Sequence, residues 1–155
     1  MAEAALKIEE VREPAFMRRF ETADLNTHGP WLLKRLMAIF PDMPERNVAG
    51  YLSNLIYNNE HQFLYQNHAV SLMQLVSSPG IRMAKIVQER FVFVEDRTDK
   101  DQLEAAADFY LMARQWAKQS GAERIIVMEN SDVPKSLVEA RLGRLFDTKI
   151  SHARV

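Results

Sequence analysis

The chain has 155 residues, 47% of them hydrophobic, with a formal net charge of −1 and no cysteine. That is enough apolar material for one ordinary domain, residues 1–155, with a full core. The charge gives no global attraction to nucleic acid or acidic membranes, and the lack of cysteine excludes disulfides, thiolate metal sites and a cysteine nucleophile.

A cytoplasmic setting is compatible with that composition. The first eight residues lack a basic region followed by an apolar run, so no signal peptide is expected. No stretch approaches the ~18 uninterrupted apolar residues of a membrane span.

In chain order, Leu6–Val11 alternates in part and reads as a first strand. Glu13–Phe20 reads as a short helix with Pro14 in its first turn. Thr27-His-Gly-Pro30 is a cluster of breakers. Pro30 then opens a helix through Trp31, Leu32, Leu33, Leu36, Met37 and Phe40, closed by Pro41. Asp42-Met-Pro-Glu45 resembles a capping box, with the acid at the cap and Glu45 at the third helical position. The helix after it carries Val48, Leu52, Leu55 and Ile56 on one stripe, with Gly50 and Asn54 off it, and ends at Asn58-Asn59.

Strands follow. His61–Gln66 and Ala69–Val76 flank Asn67-His68, a hairpin turn. Ser77–Gly80 is a loop. Met83–Val94 is a longer strand that alternates first and is then continuously apolar, which predicts burial on both faces at that end. Thr98 or Asp99 caps a long helix, with Gln102 at the third position and Gly121 as its stop. Its apolar face is Leu103, Ala106, Ala107, Tyr110, Leu111, Ala113 and Ala117. Arg124–Met128 is an apolar strand, and strand–helix–strand implies a right-handed parallel crossover. Ser131 or Asp132 caps a last helix through Leu137, Val138 and Leu142 to Gly143, and Leu145–Val155 closes the chain as a strand. The main elements run β-α-α-β-β-β-α-β-α-β, an α/β (mixed α+β) sheet, mostly antiparallel with one parallel crossover.

That order is similar to the GNAT superfamily of N-acetyltransferases, over roughly residues 5–155. Met83–Val94 followed by the helix at Asp99 resembles the family's fourth strand and third helix. Asn130 followed by Leu137-Val-Glu-Ala-Arg-Leu-Gly143 resembles the family's ending, where an Asn after the fifth strand leads to a helix closing in Leu-Tyr-Glu-Lys-Leu-Gly-Phe. The resemblance implies transfer of acetyl from acetyl-CoA to an amine. The helix start would hold the pyrophosphate, a splayed gap between strands four and five would take the pantetheine, and a base would take the amine proton.

On that basis Glu89 and Glu95 are the candidate bases, because family bases lie on or just after the fourth strand. Each also reads as a solvent-facing acid on an alternating strand. Phe93, Val94, Arg97, Lys100 and Asn130 are the candidate acetyl-CoA contacts. The family's pyrophosphate loop carries Gln/Arg-x-x-Gly-x-Gly/Ala, because glycine lets backbone N–H groups converge on phosphate. This chain has no glycine between Phe91 and Ser120. It carries Glu95, Asp96, Asp99, Asp101, Glu104 and Asp108 against Arg97 and Lys100. Those acids suit a helix N-terminus but repel a polyanion. Glu139 stands where the family has its tyrosine, and Arg144 where it has the closing aromatic. Residues 144–155 suffice for one closing strand where the family has a two-strand hairpin. The edge left over could take a protein partner or a second copy of the chain.

Two functions are therefore expected. One is a GNAT-like protein with a degraded acetyl-CoA site, a non-catalytic interaction or structural protein needing no cofactor. Degenerate GNAT-like proteins of this size occur among tailed-phage gene products, some of them in virions. The other is a working N-acetyltransferase using acetyl-CoA with a divergent loop. His28, His61, His68 and His152 read as turn or surface histidines, and no metal site is expected. Arg18-Arg19 and Lys34-Arg35 read as solvated helix edges, without the basic stripe of a nucleic-acid binder.

Overall fold

A computed structural model describes residues 17–58, 60–77, 85–127, 130–143 and 151–154. Its elements are β1 (Arg18–Arg19), α1 (Thr22–Ile39), α2 (Glu45–Ile56), β2 (His61–Gln66), β3 (Ala69–Ser77), β4 (Lys85–Val94), α3 (Lys100–Ser120), β5 (Arg124–Val127), α4 (Lys135–Leu142) and β6 (Ser151–Arg154). The six strands lie side by side in chain order. All neighbours are antiparallel except β4 and β5, which are parallel and joined through α3. Among the described residues no helix is long and apolar enough to cross a membrane.

Strong local signals set the middle of the chain. Asn67 and His68 both have positive φ, 43° and 58°, as a two-residue hairpin turn between β2 and β3 requires. Asp99 caps α3, and Gly121 ends it in the left-handed region at φ 73°. Val48, Leu52 and Leu55 are the buried stripe of α2. Ile56 is only half-buried, and Leu111 of α3 is exposed rather than on its apolar face.

The first third differs from expectation. The Leu6–Val11 strand lies outside the described residues. Where a helix was expected up to Phe20, Arg18 and Arg19 are extended and pair with Tyr65 and Leu64 of β2. The breaker cluster Thr27–Pro30 sits inside α1, with Pro30 in the helix interior. Asp24, His28, Leu32 and Leu36 are buried at four-residue spacing and run through the cluster. Burial of that stripe outweighs the hydrogen bond that Pro30 forfeits. The helix begins where Asp24 accepts the Glu21 N–H at 2.7 Å and pairs with Arg18 through two bonds of 2.6 and 2.8 Å. That pairing holds the Asp24 carboxyl below its ordinary pKa. At α2 the capping box does not form, because the cap position is Pro44 and the helix starts at Glu45. The α4 cap is likewise Pro134, not Ser131 or Asp132.

Two apolar layers cover the two faces of the sheet. Phe63, Val70, Leu72, Phe91 and Phe93 pack with α1 and α2. Leu64, Met73, Val87, Val92, Val94 and Ile125 pack with α3 and α4. Strand alternation accounts for most of this division. The exception is β4, where Val87 and Val92 share a layer. Leu72 pairs with Phe91 but Met73 pairs with Glu89, so Arg90 is an extra residue, a β-bulge that reverses the phase of the strand.

Gly50 is a mid-helix glycine in α2, and a Cβ built there meets nothing within 4 Å. Gly50→Ala is expected to raise stability by about 0.5–1 kcal/mol, from backbone entropy alone. Denaturant melts would check this, and no gain would mean that the backbone freedom of this glycine does not limit the stability of α2.

Candidate functional site

The parallel ladder between β4 and β5 is short. Ile86, Val87 and Gln88 pair with Arg124, Ile125 and Ile126, and among the described residues the ladder goes no further. A single bridge joins Val92 and Ser131 further along. The Val92 N–H donates to the Asn130 carbonyl at 3.0 Å, and the Asp132 N–H donates to the Val92 carbonyl at 2.9 Å. Among the described residues the strands are therefore parted across Glu89–Phe91, at the Arg90 bulge, where the Asn130 side-chain amide reaches the Arg90 carbonyl at 3.5 Å.

Glu89 sits at that parting and is fully buried. It follows Val87 in phase and faces the α3 side, where Tyr110 Oη lies 3.0 Å from its Oε2 and 2.9 Å from Ser131 Oγ. Its Oε1 is buried with no partner among the described residues. Burial pushes the carboxyl up to about 8, against the smaller lowering effect of Tyr110. The Tyr110 hydroxyl thus links the Glu89 carboxyl to Ser131. Ser131 Oγ also accepts the Val133 N–H at 3.0 Å.

Asp132 ties the far end of the parting. Its side chain is 6% exposed and accepts both arms of Arg35, each at 2.9 Å. It also accepts the Val94 N–H at 2.9 Å and faces Arg97 Nε at 3.1 Å. Arg35 donates in addition to the Val94 carbonyl at 3.0 Å and lies 5.5 Å from the Phe93 ring centre. Both backbone groups of Val94 thus have partners on this face. Arg35 is no solvated helix edge but the link between α1 and the loop before α4. Its partner is 97 residues away, so nothing local could have revealed it.

The start of α3 is also occupied by its own chain. Asp99 accepts from the amides of Asp101 and Gln102 at 2.9 and 3.3 Å. Gln102 Oε1 takes the Asp96 N–H at 2.8 Å, and Asp96 takes the Thr98 N–H at 2.9 Å. Asp99→Ala is expected to cost ~1 kcal/mol through the lost cap. A chemical melt would check this, and an unchanged midpoint would mean that the other acids of the turn replace it.

Of the sequence candidates, Phe93, Val94, Arg97 and Asn130 gather at the resealed end of the strand gap. Lys100 is exposed on the first turn of α3. Glu95 lies apart from Glu89, at the hairpin, where it meets His68 Nδ1 at 3.2 Å. Glu139 is half-buried on α4. Tyr110, Ser131 and Asp132 were not singled out as site residues in the sequence, where they read as core or caps.

His68 stands near the buried His28, with ring centres 5.3 Å apart. The ligand atoms of His28, His68 and Glu95 all lie within 4.8 Å of one another. Burial, then the charge of His68, lowers the His28 pKa. Trp31 Nε1 donates to His28 Nδ1 at 3.1 Å, so a neutral His28 carries its proton on Nε2. A metal there would have to displace that proton or Trp31.

On the α1–α2 side of the parting is a cavity of about 200 Å³ lined by Leu36, Ile39, Tyr51, Arg90 and Asn130 among others. It adjoins a groove of about 510 Å³ between the α1–α2 corner and β4, and the two share Phe40, Tyr51 and Arg90.

No protein-family model matches the sequence, and neither does any curated protein. Solved structures do match in shape. A probable acetyltransferase superposes with a TM-score of 0.64 at 13% identity, over 86% of this chain and 91% of its own. A candidate acetyltransferase from Agrobacterium tumefaciens str. C58 gives 0.58 at 12% identity, over 85% and 94%. Another from Staphylococcus aureus Mu50 gives 0.54 at 14% identity, over 90% and 97%. Likeness at that identity speaks to fold alone. The chain has the mixed α/β architecture of these acetyltransferases, a GNAT-like fold.

Proposed function

We propose that this GNAT-like chain does not bind acetyl-CoA and acts as a non-catalytic interaction protein. The observation that carries this reading is the pairing of Val92–Val94 with Asn130–Asp132. In the family, the gap between these strands receives the pantetheine. Here the chain's own backbone and the Asp132 carboxylate take the hydrogen-bonding groups that would line it. The capped, acidic start of α3 adds to this, because Asp99 already takes the amides of Asp101 and Gln102 and the local charge repels a pyrophosphate. These residues do not fit the cofactor. Isothermal calorimetry with acetyl-CoA is expected to give no heat of binding, and a thermal-shift assay no rise in melting temperature. Micromolar binding would sink the reading.

The interaction would use the outer edge of β6, the last strand of the sheet. Unpaired edge groups can take a strand of a partner or of a second copy. Light scattering across a concentration series would separate a dimer from a chain awaiting another protein.

One observation favours an active N-acetyltransferase instead. Glu89 is a buried carboxyl with a pKa near 8, on the strand where family bases lie. Release of free thiol from acetyl-CoA in the presence of amines would support that reading. Its absence with folded protein would remove it for those amines.

A further inference from the structure

The groove at the α1–α2 corner has features that internal packing does not explain. Gly50 lines it in the middle of α2, where glycine weakens a helix, yet among the described residues nothing beyond the local helix backbone lies within 4 Å of the Cβ it lacks. The missing side chain makes room for no described residue and leaves the groove open. Phe40 and Met43 line the same groove and are 38% and 40% exposed, though both are large and apolar. Arg46 and Arg90 line it as well, and neither is paired with a carboxylate among the described residues. Arg90 is the extra residue of the β4 bulge, so the bulge is what brings this arginine to the groove.

We propose that this groove binds a small anionic amphiphile, a free carboxylate carried on an aromatic or aliphatic body. The apolar body would lie on Phe40, Met43 and the open face at Gly50. The carboxylate would meet the guanidinium groups of Arg46 and Arg90, whose forked donors match its two oxygens. The same two cations repel a protonated amine of equal shape. At about 510 Å³ the groove is within the usual range for a small-molecule site. The inference stands apart from the sealed strand gap and holds whether or not acetyl-CoA binds there.

Three probes of one shape test it: 3-phenylpropionate, 3-phenylpropan-1-ol and 3-phenylpropylamine, each titrated into the isotope-labelled protein and followed by amide shifts. The carboxylate should bind with shifts at Gly50 and Asn54, about 5-fold or more tighter than the alcohol, with the amine weakest. Gly50→Phe should abolish binding by filling the groove. Arg46→Glu, on the exposed face of α2, should remove the preference for the carboxylate while leaving the alcohol unchanged. Melting curves establish that both variants fold. The proposal is overturned if the carboxylate binds no tighter than the alcohol, if no probe shifts the groove amides, or if folded Arg46→Glu keeps the preference.

Discussion

Glu89→Gln is expected to stabilise the protein by ~3 kcal/mol at pH 7 and to remove a fall in stability between pH 4.5 and about 8. In the folded chain, burial pushes the Glu89 carboxyl up to about 8, while the unfolded chain titrates near the ordinary 4.5. Between those values the unfolded state has released a proton that the folded state keeps. Stability therefore falls as pH rises through that window, by ~1.4 kcal/mol per unit, and levels off above it. Glutamine has no such proton. Its amide can still donate to Tyr110, and Tyr110 to Ser131, so the buried chain of bonds survives. His28 and His61, whose pKa values burial lowers, contribute in the opposite direction, but equally to both proteins. The difference between the two melting profiles from pH 5 to 8 isolates Glu89. A flat difference would mean that the carboxyl is ionised and solvated in the fold.

Asp132→Ala is expected to cost ~3 kcal/mol, because one carboxylate serves several partners at once. Its loss strands the Val94 N–H and leaves Arg35, only 19% exposed, without its counter-charge. For a chain of this length the loss corresponds to a melting temperature lower by roughly 6–12 °C. Asp132→Asn should fall between the two, since its amide oxygen can still accept but the charge is gone. Melting curves of all three proteins check the order. If Asp132→Ala melts with the native protein, the Arg35 pairing contributes nothing net, and the closure of the strand gap rests on the Val92 backbone bonds alone.

The parts of this fold that could be read from the sequence are those set by local chemistry. Asn67-His68 turns a hairpin because those residues tolerate positive φ, and Asp99 and Gly121 bound a helix by capping. The start of the chain misled for the opposite reason. Thr27-His-Gly-Pro30 is unfavourable helix locally, and only the stripe from Asp24 to Leu36, packed against the sheet, makes it helical. The site divides in the same way. Glu89, Val94 and Asn130 could be named from their places on or after a strand. That Tyr110 reaches Glu89, and that Arg35 reaches Asp132, depends on how the sheet brings distant elements together. The bulge at Arg90 leaves no mark that alternation could reveal, because an apolar run on a strand buried on both faces reads the same in either phase.

Arg90 also fixes a match between two elements whose side chains meet face to face. With the bulge, valines of β4 face α3, which presents Ala106, Ala107 and Ala113 to them, all fully buried. The two phenylalanines face the wider space under α1 and α2, where Phe91 and Phe93 stack with ring centres 5.0 Å apart. A chain one residue shorter at this point would be in the other reading frame. Its rings would be driven against the alanines, and its valines would be left to fill the aromatic side. The alanine face of α3 and the length of β4 are thus a single specification, and a relative that lost the bulge would have to change both layers together.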